Sequence, residues 1–166
     1  MGTPSDWLRF STEIEPSGVV VYRMPFALPH FNPGMSREGL GHSLLRSLVS
    51  LVSAPVSLAR FLRLLKAIKP DVVNVHYIYE NALFCMAARQ VTDFRLVVTI
   101  HGEDIERHFE RARIGRWMVS RTLKAADRVL SNSAYLLAAA ARIHPGVKSK
   151  SAVVGNGVNP DDFASV

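Results

Sequence analysis

The sequence predicts an α/β protein with a doubly wound, mainly parallel sheet. Three observations lead to this fold class. Short apolar runs alternate with helical patterns between residues 40 and 154, and that alternation is typical of strand–helix–strand units. The runs at residues 72–75 and 94–100 are almost continuously apolar, as strands buried on both faces are. Polar or small residues follow each of the last four predicted strands, where open parallel sheets bind their ligands.

The first elements are less regular. Residues 18–25 form a β-branched and aromatic run between a glycine and a proline, which predicts a strand, and the prolines of residues 27–34 predict a loop. Apolar residues then recur at helical spacing over residues 40–69 on both sides of Pro55, which predicts two helices or one kinked helix. Basic residues border the apolar stripe of this helical segment, so the segment can lie on a membrane surface or pack on the sheet. These basic residues are Arg46, Arg60, Arg63, Lys66 and Lys69.

The second half of the chain has the clearest pattern. Residues 70–77 predict a strand, residues 80–90 a helix and residues 94–100 the next strand, which together make a β-α-β unit. Helical sequence continues to Lys124, followed by a strand at residues 128–131, a helix with Ser133 as its N-cap and a last strand at residues 152–154. No repeat or linker divides the chain, so we expect one domain over residues 1–166, with residues 1–17 a poorly defined lead-in.

The amino-acid composition and net charge limit the classes of protein to which the chain can belong. The chain has 166 residues, of which 48% are hydrophobic and 20% charged, values typical of a folded globular domain. The single cysteine, Cys85, excludes a disulfide framework within the chain and favours a reducing, cytoplasmic setting. The net charge of +6 favours an anionic partner such as a phosphate-bearing substrate, an acidic lipid headgroup or nucleic acid, or else it simply makes a soluble basic surface.

The candidate site residues come from the four strand exits. Because the carboxyl ends of parallel strands meet at one edge of the sheet, we expect polar residues there to face a common ligand. They are His76 and Tyr77; His101, Gly102, Glu103 and Asp104; Ser131, Asn132 and Ser133; and Gly155, Asn156 and Gly157.

Several interpretations of His101 are open. It can donate a hydrogen bond to a bound sugar or leaving group, with Gly102 allowing close approach and Asp104 capping the next helix. It can equally be a structural histidine beside a helix cap. A metal site built on His101, Glu103 and Asp104, with His76 as a further ligand in a metal hydrolase, is a third possibility. Phosphate-binding loops of the G-x-x-x-x-G-K-[ST] and G-x-G-x-x-G types are absent from the sequence.

Four motifs together resemble a known family. They are residues 70–76 (PDVVNVH), 98–104 (VTIHGED), 126–133 (ADRVLSNS) and 154–163 (VGNGVNPDDF). In this order and spacing they resemble the N-terminal, acceptor-side domain of the family-four retaining glycosyltransferases, over about residues 18–163.

The resemblance implies a GT-B enzyme that transfers a glycosyl group from a nucleotide-sugar to a sugar or lipid-linked acceptor with retention of configuration, without a cofactor or an obligatory metal. By position, His101 is similar to the family's catalytic histidine that reaches the transferred sugar. The implied substrate-binding residues are His76, Gly102, Asp104, Ser131, Asn132 and Ser133. Asn156 and Gly157 are similar to the segment on the donor side, which leads into the interdomain hinge.

Two departures from the family pattern change the expectation. Residues 1–17 contain no strand, glycine-rich turn and helix of the kind that opens the family's domain, and residues 159–166 lead towards a second domain that this sequence does not include. We therefore expect an incomplete domain that is inactive alone, unless another chain completes it. We also expect cytoplasmic localisation, with peripheral contact at the inner face of the membrane possible.

The alternative is a non-catalytic α/β binding or regulatory module for an anionic ligand or a membrane surface. Its basic residues would be those of the stretch from residue 107 to residue 128, where acidic residues are interleaved. Mixed charge of this kind is typical of a solvated helix face. Because no aromatic interleaving or nucleic-acid motif accompanies it, we do not expect nucleic acid as a partner.

Overall fold

A computed structural model describes residues 11–23, 40–106, 113–155 and 157 of the chain, and the side chains of residues 40–52 lie outside this description. The predicted loop at residues 27–34 also lies outside the described residues. The strands are β1 (Ser11–Ile14), β2 (Val20–Arg23), β3 (Val72–His76), β4 (Arg95–Ile100), β5 (Arg128–Ser131) and β6 (Ser151–Val153). The helices are α1 (Leu40–Ile68), α2 (Glu80–Ala88), α3 (Glu103–Glu106), α4 (Arg113–Ala125) and α5 (Ala134–Ile143), and a short 3₁₀ helix covers Pro145–Ser149.

Strands β3 to β6 form one parallel sheet in the order β3-β4-β5-β6. Their carboxyl ends are in step: His76 pairs with Thr99, Ile100 pairs with Ser131, and Ser131 pairs with Val153. The predicted α/β class with a parallel sheet is therefore confirmed, and it is consistent with a Rossmann-like half of a GT-B fold. We call the side of the sheet where these strands end the carboxyl edge.

A separate two-stranded sheet precedes the parallel one. The strand predicted at residues 18–25 is present as β2, but it pairs antiparallel with β1, a strand that was not predicted. The connecting turn uses Gly18 with a φ of 83°, a conformation that glycine adopts readily. An exposed ion pair between Glu13 and Arg23 (3.0 Å) crosses the two strands, and its hydrogen bond and charge hold the pKa of Glu13 below its ordinary value.

Helix α1 is continuous through Pro55, so the alternative of two separate helices over residues 40–69 is wrong. A single helix is present, and its kink at Pro55 stays a prediction. In its described half, Phe61 and Leu65 are buried, and Leu58 and Leu62 pack against the core. None of the described helices is both long and apolar enough to cross a membrane.

The core lies between the parallel sheet and its helices. Leu96, Val98 and Ile100 alternate with less buried residues along β4 and are fully buried. Helix α2 contributes Phe84 and Cys85, and burial raises the pKa of the Cys85 thiol to about 12. The remaining fully buried apolar side chains include Ile78, Val119, Leu123, Val129 and Val147.

At the opposite, amino edge of the sheet, three charged side chains hold the junction between α4 and β5. Arg89 donates to the Ala125 carbonyl (2.7 Å) and contacts the Asp127 carboxylate (3.0 Å). Asp127 Oδ2 accepts from the backbone N–H of Leu96 (2.6 Å). Lys150 donates to the carbonyls of Lys124 and Ala126, and partial burial lowers the pKa of its ammonium. We call Arg89, Asp127 and Lys150 the amino-edge clamp. Because helix C-termini leave carbonyls without partners, these cations also satisfy the end of α4.

Candidate functional site

Two histidines meet at the carboxyl edge. His76 ends β3 and His101 follows β4, and the in-step register of these strands brings their rings together. His76 Nδ1 lies 3.0 Å from His101 Nε2, and the two ring centroids are 5.2 Å apart. The structure therefore places the predicted catalytic residue in direct contact with one of the predicted substrate-binding residues.

A series of side-chain hydrogen bonds connects Asn74 and His76 to His101. Thr99 Oγ1 donates to Asn74 Oδ1 (2.9 Å), and Asn74 Nδ2 lies 3.1 Å from His76 Nε2. Because an amide nitrogen only donates, His76 Nε2 accepts in this arrangement and the ring hydrogen of neutral His76 sits on Nδ1. That hydrogen points at His101 Nε2, so neutral His101 carries its own hydrogen on Nδ1. With the Asn74 amide in this orientation, the series of hydrogen bonds holds the ring of His101 and favours this one tautomer.

Asp104 holds the loops that carry these histidines. Its side chain is fully buried, and Oδ1 accepts from the backbone N–H groups of His101 (3.2 Å) and Gly102 (3.0 Å). Oδ2 accepts from the N–H of Ile78 in the loop after β3 (3.3 Å). The expected helix-capping role is therefore wrong, because Asp104 lies inside the first turn of α3 and reaches back to the chain before it. A direct contact between Asp104 and substrate stays a prediction.

Gly102 occupies a position that other residues fit poorly. Its φ of 123° lies in the region that side chains rarely adopt, and its backbone is buried. A Cβ at Gly102 would lie 3.8 Å from Leu136 of α5. That distance is an ordinary van der Waals contact, so there is room for a Cβ, and it is the positive φ of the turn after β4 that favours glycine here.

The β5 exit is ordered by two serines. Ser133 Oγ accepts from the N–H of Leu136, which confirms the predicted N-cap of α5. Ser131 is 1% exposed, and its Oγ accepts from the N–H of Ser133. Asn132 between them is half-buried. All three lie one strand away from the histidine pair, and their contact with substrate stays a prediction.

The comparison with known families settles the assignment. Residues 19–162 match the sequence model of glycosyltransferase family 4. The chain belongs to glycosyltransferase family 4. No curated protein matches the chain. The resemblance carried by the four motifs is thereby confirmed, and the histidine pair lies inside the matched region of this family 4 domain.

The last predicted site residues are those after β6. Asn156 lies outside the described residues. Gly157 is exposed, and a Cβ at this position would meet no atom within 4 Å. Their role on the donor side of the family 4 domain stays a prediction.

The metal hypothesis finds no support in the described part of the family 4 domain. No group of three His, Cys, Asp or Glu side chains within it is arranged to hold an ion. The set predicted from the sequence was built on His101, Glu103 and Asp104. Asp104 does not serve as a ligand in this structure, because its oxygens accept hydrogen bonds from backbone N–H groups of its own loop and of the loop after β3.

Sequence reasoning missed three polar residues at this edge: Asn74, Thr99 and Asn81. A signal for Asn74 exists, since Asn74 and His76 are polar at an i, i+2 spacing in an apolar strand and so share one face. Asn81 Oδ1 accepts from the N–H of Tyr79 (3.2 Å), and its Nδ2 donates to the carbonyl of His76 (3.2 Å). It therefore ties the loop after β3 back to the end of that strand.

Tyr77 is the strained residue of the site. Its φ is 62°, and left-handed backbone costs an ordinary residue about 1–2 kcal/mol. Its N–H donates to the carbonyl of Thr99 (3.1 Å), which extends the β3–β4 pairing by one residue. The ring stacks on His101 with centroids 4.3 Å apart. Strain held in place by surrounding bonds is a common property of functional loops.

Proposed function

We propose that this family 4 domain forms the acceptor-side half of a nucleotide-sugar-dependent glycosyltransferase of the GT-B type, in which His101 contacts the transferred sugar. The observation that carries the proposal is the His76–His101 contact at the carboxyl edge of a family 4 sheet. Hydrogen bonds from the N–H groups of His101 and Gly102 to the Asp104 carboxylate hold the loop of His101 in place, and a preorganised site is what stabilises a transition state.

In the proposed reaction, the bond between the anomeric carbon and the nucleotide diphosphate breaks. A bond from the same carbon to an acceptor hydroxyl oxygen forms on the same face of the ring, so that the configuration is retained, and the hydroxyl proton passes to the departing phosphate oxygen. Neutral His101, with its hydrogen on Nδ1, donates to a hydroxyl of the transferred sugar. Gly102 allows the sugar to approach the backbone, and residues 131–133 line the acceptor side. The reaction needs no metal on this domain.

We further propose that residues 1–166 form a single domain that does not turn over a nucleotide-sugar by itself. By the family resemblance, a second domain holds the nucleotide diphosphate, in the same chain or supplied by another. A transfer assay on the purified 166-residue protein tests this point, and release of nucleotide diphosphate above the uncatalysed rate would contradict it.

The site assignment is tested by hydrogen exchange in the presence of a panel of nucleotide-sugars. We expect slower exchange at residues 99–104, and we expect His101→Ala to abolish that protection. The matched control is His144→Gln, because His144 lies beyond α5, away from the strand exits, and should leave protection unchanged. Protection that survives His101→Ala, or none in the unsubstituted protein, would refute the assignment of His101.

Peripheral membrane contact is a second, compatible proposal that rests on α1. Along its described half, the exposed side chains include Val56, Arg63 and Lys66, a combination of apolar and basic groups that suits an anionic bilayer surface. Such contact would place the domain at the cytoplasmic face, where a reduced Cys85 is expected. Sedimentation with anionic and with neutral vesicles is the test, and equal binding to both kinds would contradict it.

A further inference from the structure

Two tyrosines stand beside the histidine pair. Tyr77 and Tyr79 are stacked, with ring centroids 6.0 Å apart and an interplanar angle of 22°. Tyr77 also stacks on the His101 ring. Although large aromatic side chains are usually buried, Tyr77 is 41% and Tyr79 is 36% exposed. We call Tyr77 and Tyr79 the aromatic ledge.

The backbone between the two tyrosines explains why they face outward. Ile78 is fully buried, and its N–H is held by Asp104. The N–H of Tyr79 is held by Asn81. Alternation around a buried Ile78 turns both neighbouring rings towards solvent. The loop is therefore fixed at three successive N–H groups, including that of Tyr77, and the ledge is rigid before any ligand arrives.

The ledge is apolar on its faces and polar at its rim. The Tyr79 hydroxyl donates to Glu103 Oε2 (3.4 Å), and Glu103 is exposed at the start of α3. The Tyr77 face adjoins the ring of His101, whose two nitrogens are polar groups that form hydrogen bonds. A pyranose ring has the complementary shape and chemistry, because axial C–H groups make one face apolar while hydroxyls surround it. An alkyl chain would leave the polar rim unused, at the cost of desolvating it.

We propose that the aromatic ledge binds the ring face of a saccharide acceptor, so that the acceptor of this domain is a sugar. The inference rests on the proposed function, because it places the acceptor beside the histidine that contacts the transferred sugar. The strained φ of Tyr77 fits this role, since the residue keeps this backbone conformation with its ring exposed beside His101 rather than buried in the core.

The test is saturation-transfer NMR on the 166-residue protein with methyl glycosides and disaccharides, irradiating the tyrosine ring protons. We expect the C–H protons of one pyranose face to receive the strongest transfer. Tyr77→Asn removes the ring while keeping a residue that tolerates positive φ, and we expect it to weaken saccharide binding by about fivefold to tenfold, the range that a lost aromatic stacking contact gives. Tyr77→Phe keeps the ring and should retain affinity within about twofold.

The matched control is Tyr22→Asn, because Tyr22 is an exposed tyrosine in the antiparallel hairpin, and we expect no change in binding. Binding to Tyr77→Asn equal to that of the unsubstituted protein overturns the ledge. Binding of n-octyl phosphate through the ledge in place of saccharides overturns the sugar assignment and favours a lipid acceptor. Absence of any saccharide transfer in the folded protein also overturns the ledge. None of these results affects nucleotide-sugar protection at residues 99–104, which decides the proposed function separately.

Discussion

Replacement of Asp104 should separate the stability of the site loops from that of the sheet. Its carboxylate accepts three backbone hydrogen bonds in a fully buried position. In Asp104→Ala, the N–H groups of Ile78, His101 and Gly102 lose this partner. Each buried donor left unpaired costs about 1–3 kcal/mol, so the two buried ones, at Ile78 and Gly102, together cost about 2–6 kcal/mol. We expect a loss in that range, which is a large part of the 5–15 kcal/mol typical of a domain.

Asp104→Asn gives a graded result from the same geometry. The amide oxygen can still accept from His101 and Gly102, but its NH₂ group then faces the N–H of Ile78, so two donors oppose each other. We expect a loss of about 1–3 kcal/mol, the cost of one unsatisfied buried donor. The control is Asp93→Asn, because Asp93 is exposed, and its effect should stay within about 0.5 kcal/mol.

The free energy of unfolding is measured by urea denaturation, and its dependence on urea concentration is compared between the variants. Native-state hydrogen exchange of single amides is measured on the same proteins. Exchange at Ile78, His101 and Gly102 should accelerate in Asp104→Ala, and exchange at Ile78 alone should accelerate in Asp104→Asn, in each case before exchange in β4 does. If Asp104→Ala proves no less stable than Asp93→Asn, or if β4 and the loops accelerate together, the reasoning that Asp104 holds the two strand exits is wrong.

Three further predictions concern single side chains. Ser133→Ala should lower the free energy of unfolding by about 1 kcal/mol and Ser133→Asp should retain it, as expected for an N-cap; urea unfolding checks this, and equal stability of Ser133→Ala would contradict the cap. Thr122→Val should be neutral or stabilise by up to about 1 kcal/mol, because the buried Thr122 Oγ1 has no hydrogen-bond partner in the described part of the chain; a melting temperature that falls would refute it. Burial raises the pKa of Cys85 in the folded state to about 12 from 9.0. The contribution of Cys85 to stability should therefore be full below pH 9 and fall as the pH rises from there towards 12, because only the unfolded chain ionises in this range. Native Cys85 should also resist alkylation at pH 8, and rapid labelling without unfolding would count against its burial.

The parallel sheet was predictable because its signals are local. Runs such as residues 94–100 are apolar and bounded by turn residues, and the strand at residues 128–131 has the predicted bounds. Strand β1 was not predictable in this way, since three of the four residues of Ser11–Ile14 are polar and the strand gains its partner only through the hairpin. The 3₁₀ helix at Pro145–Ser149 is a short element of the kind that periodicity does not detect.

The sequence was enough to predict at which edge of the sheet the candidate site lies, but not which of its residues contact one another. The rule that ligands bind beyond the carboxyl ends of parallel strands was enough to select His76 and His101. Their contact depends on register, which puts His76 opposite Thr99, and no sequence pattern fixes register between strands so distant in the chain. The direction of Asp104 was misjudged for the same reason: its partner Ile78 belongs to a different loop, whereas capping rules consider only neighbouring residues.

The two edges of the sheet hold different kinds of chemistry, and this division makes stability and binding separable traits. The amino-edge clamp of Arg89, Asp127 and Lys150 is ionic, while the carboxyl edge is built from histidines, tyrosines and backbone amides. The six residues of β4 put about 20 Å between them at about 3.3 Å per residue, beyond the range in which substitutions usually couple. The effects of Arg89→Met and Tyr77→Asn on the free energy of unfolding should therefore add in the double variant. A protein engineer, or natural selection, can consequently adjust how firmly this domain holds its fold without altering the histidines and tyrosines at its carboxyl edge.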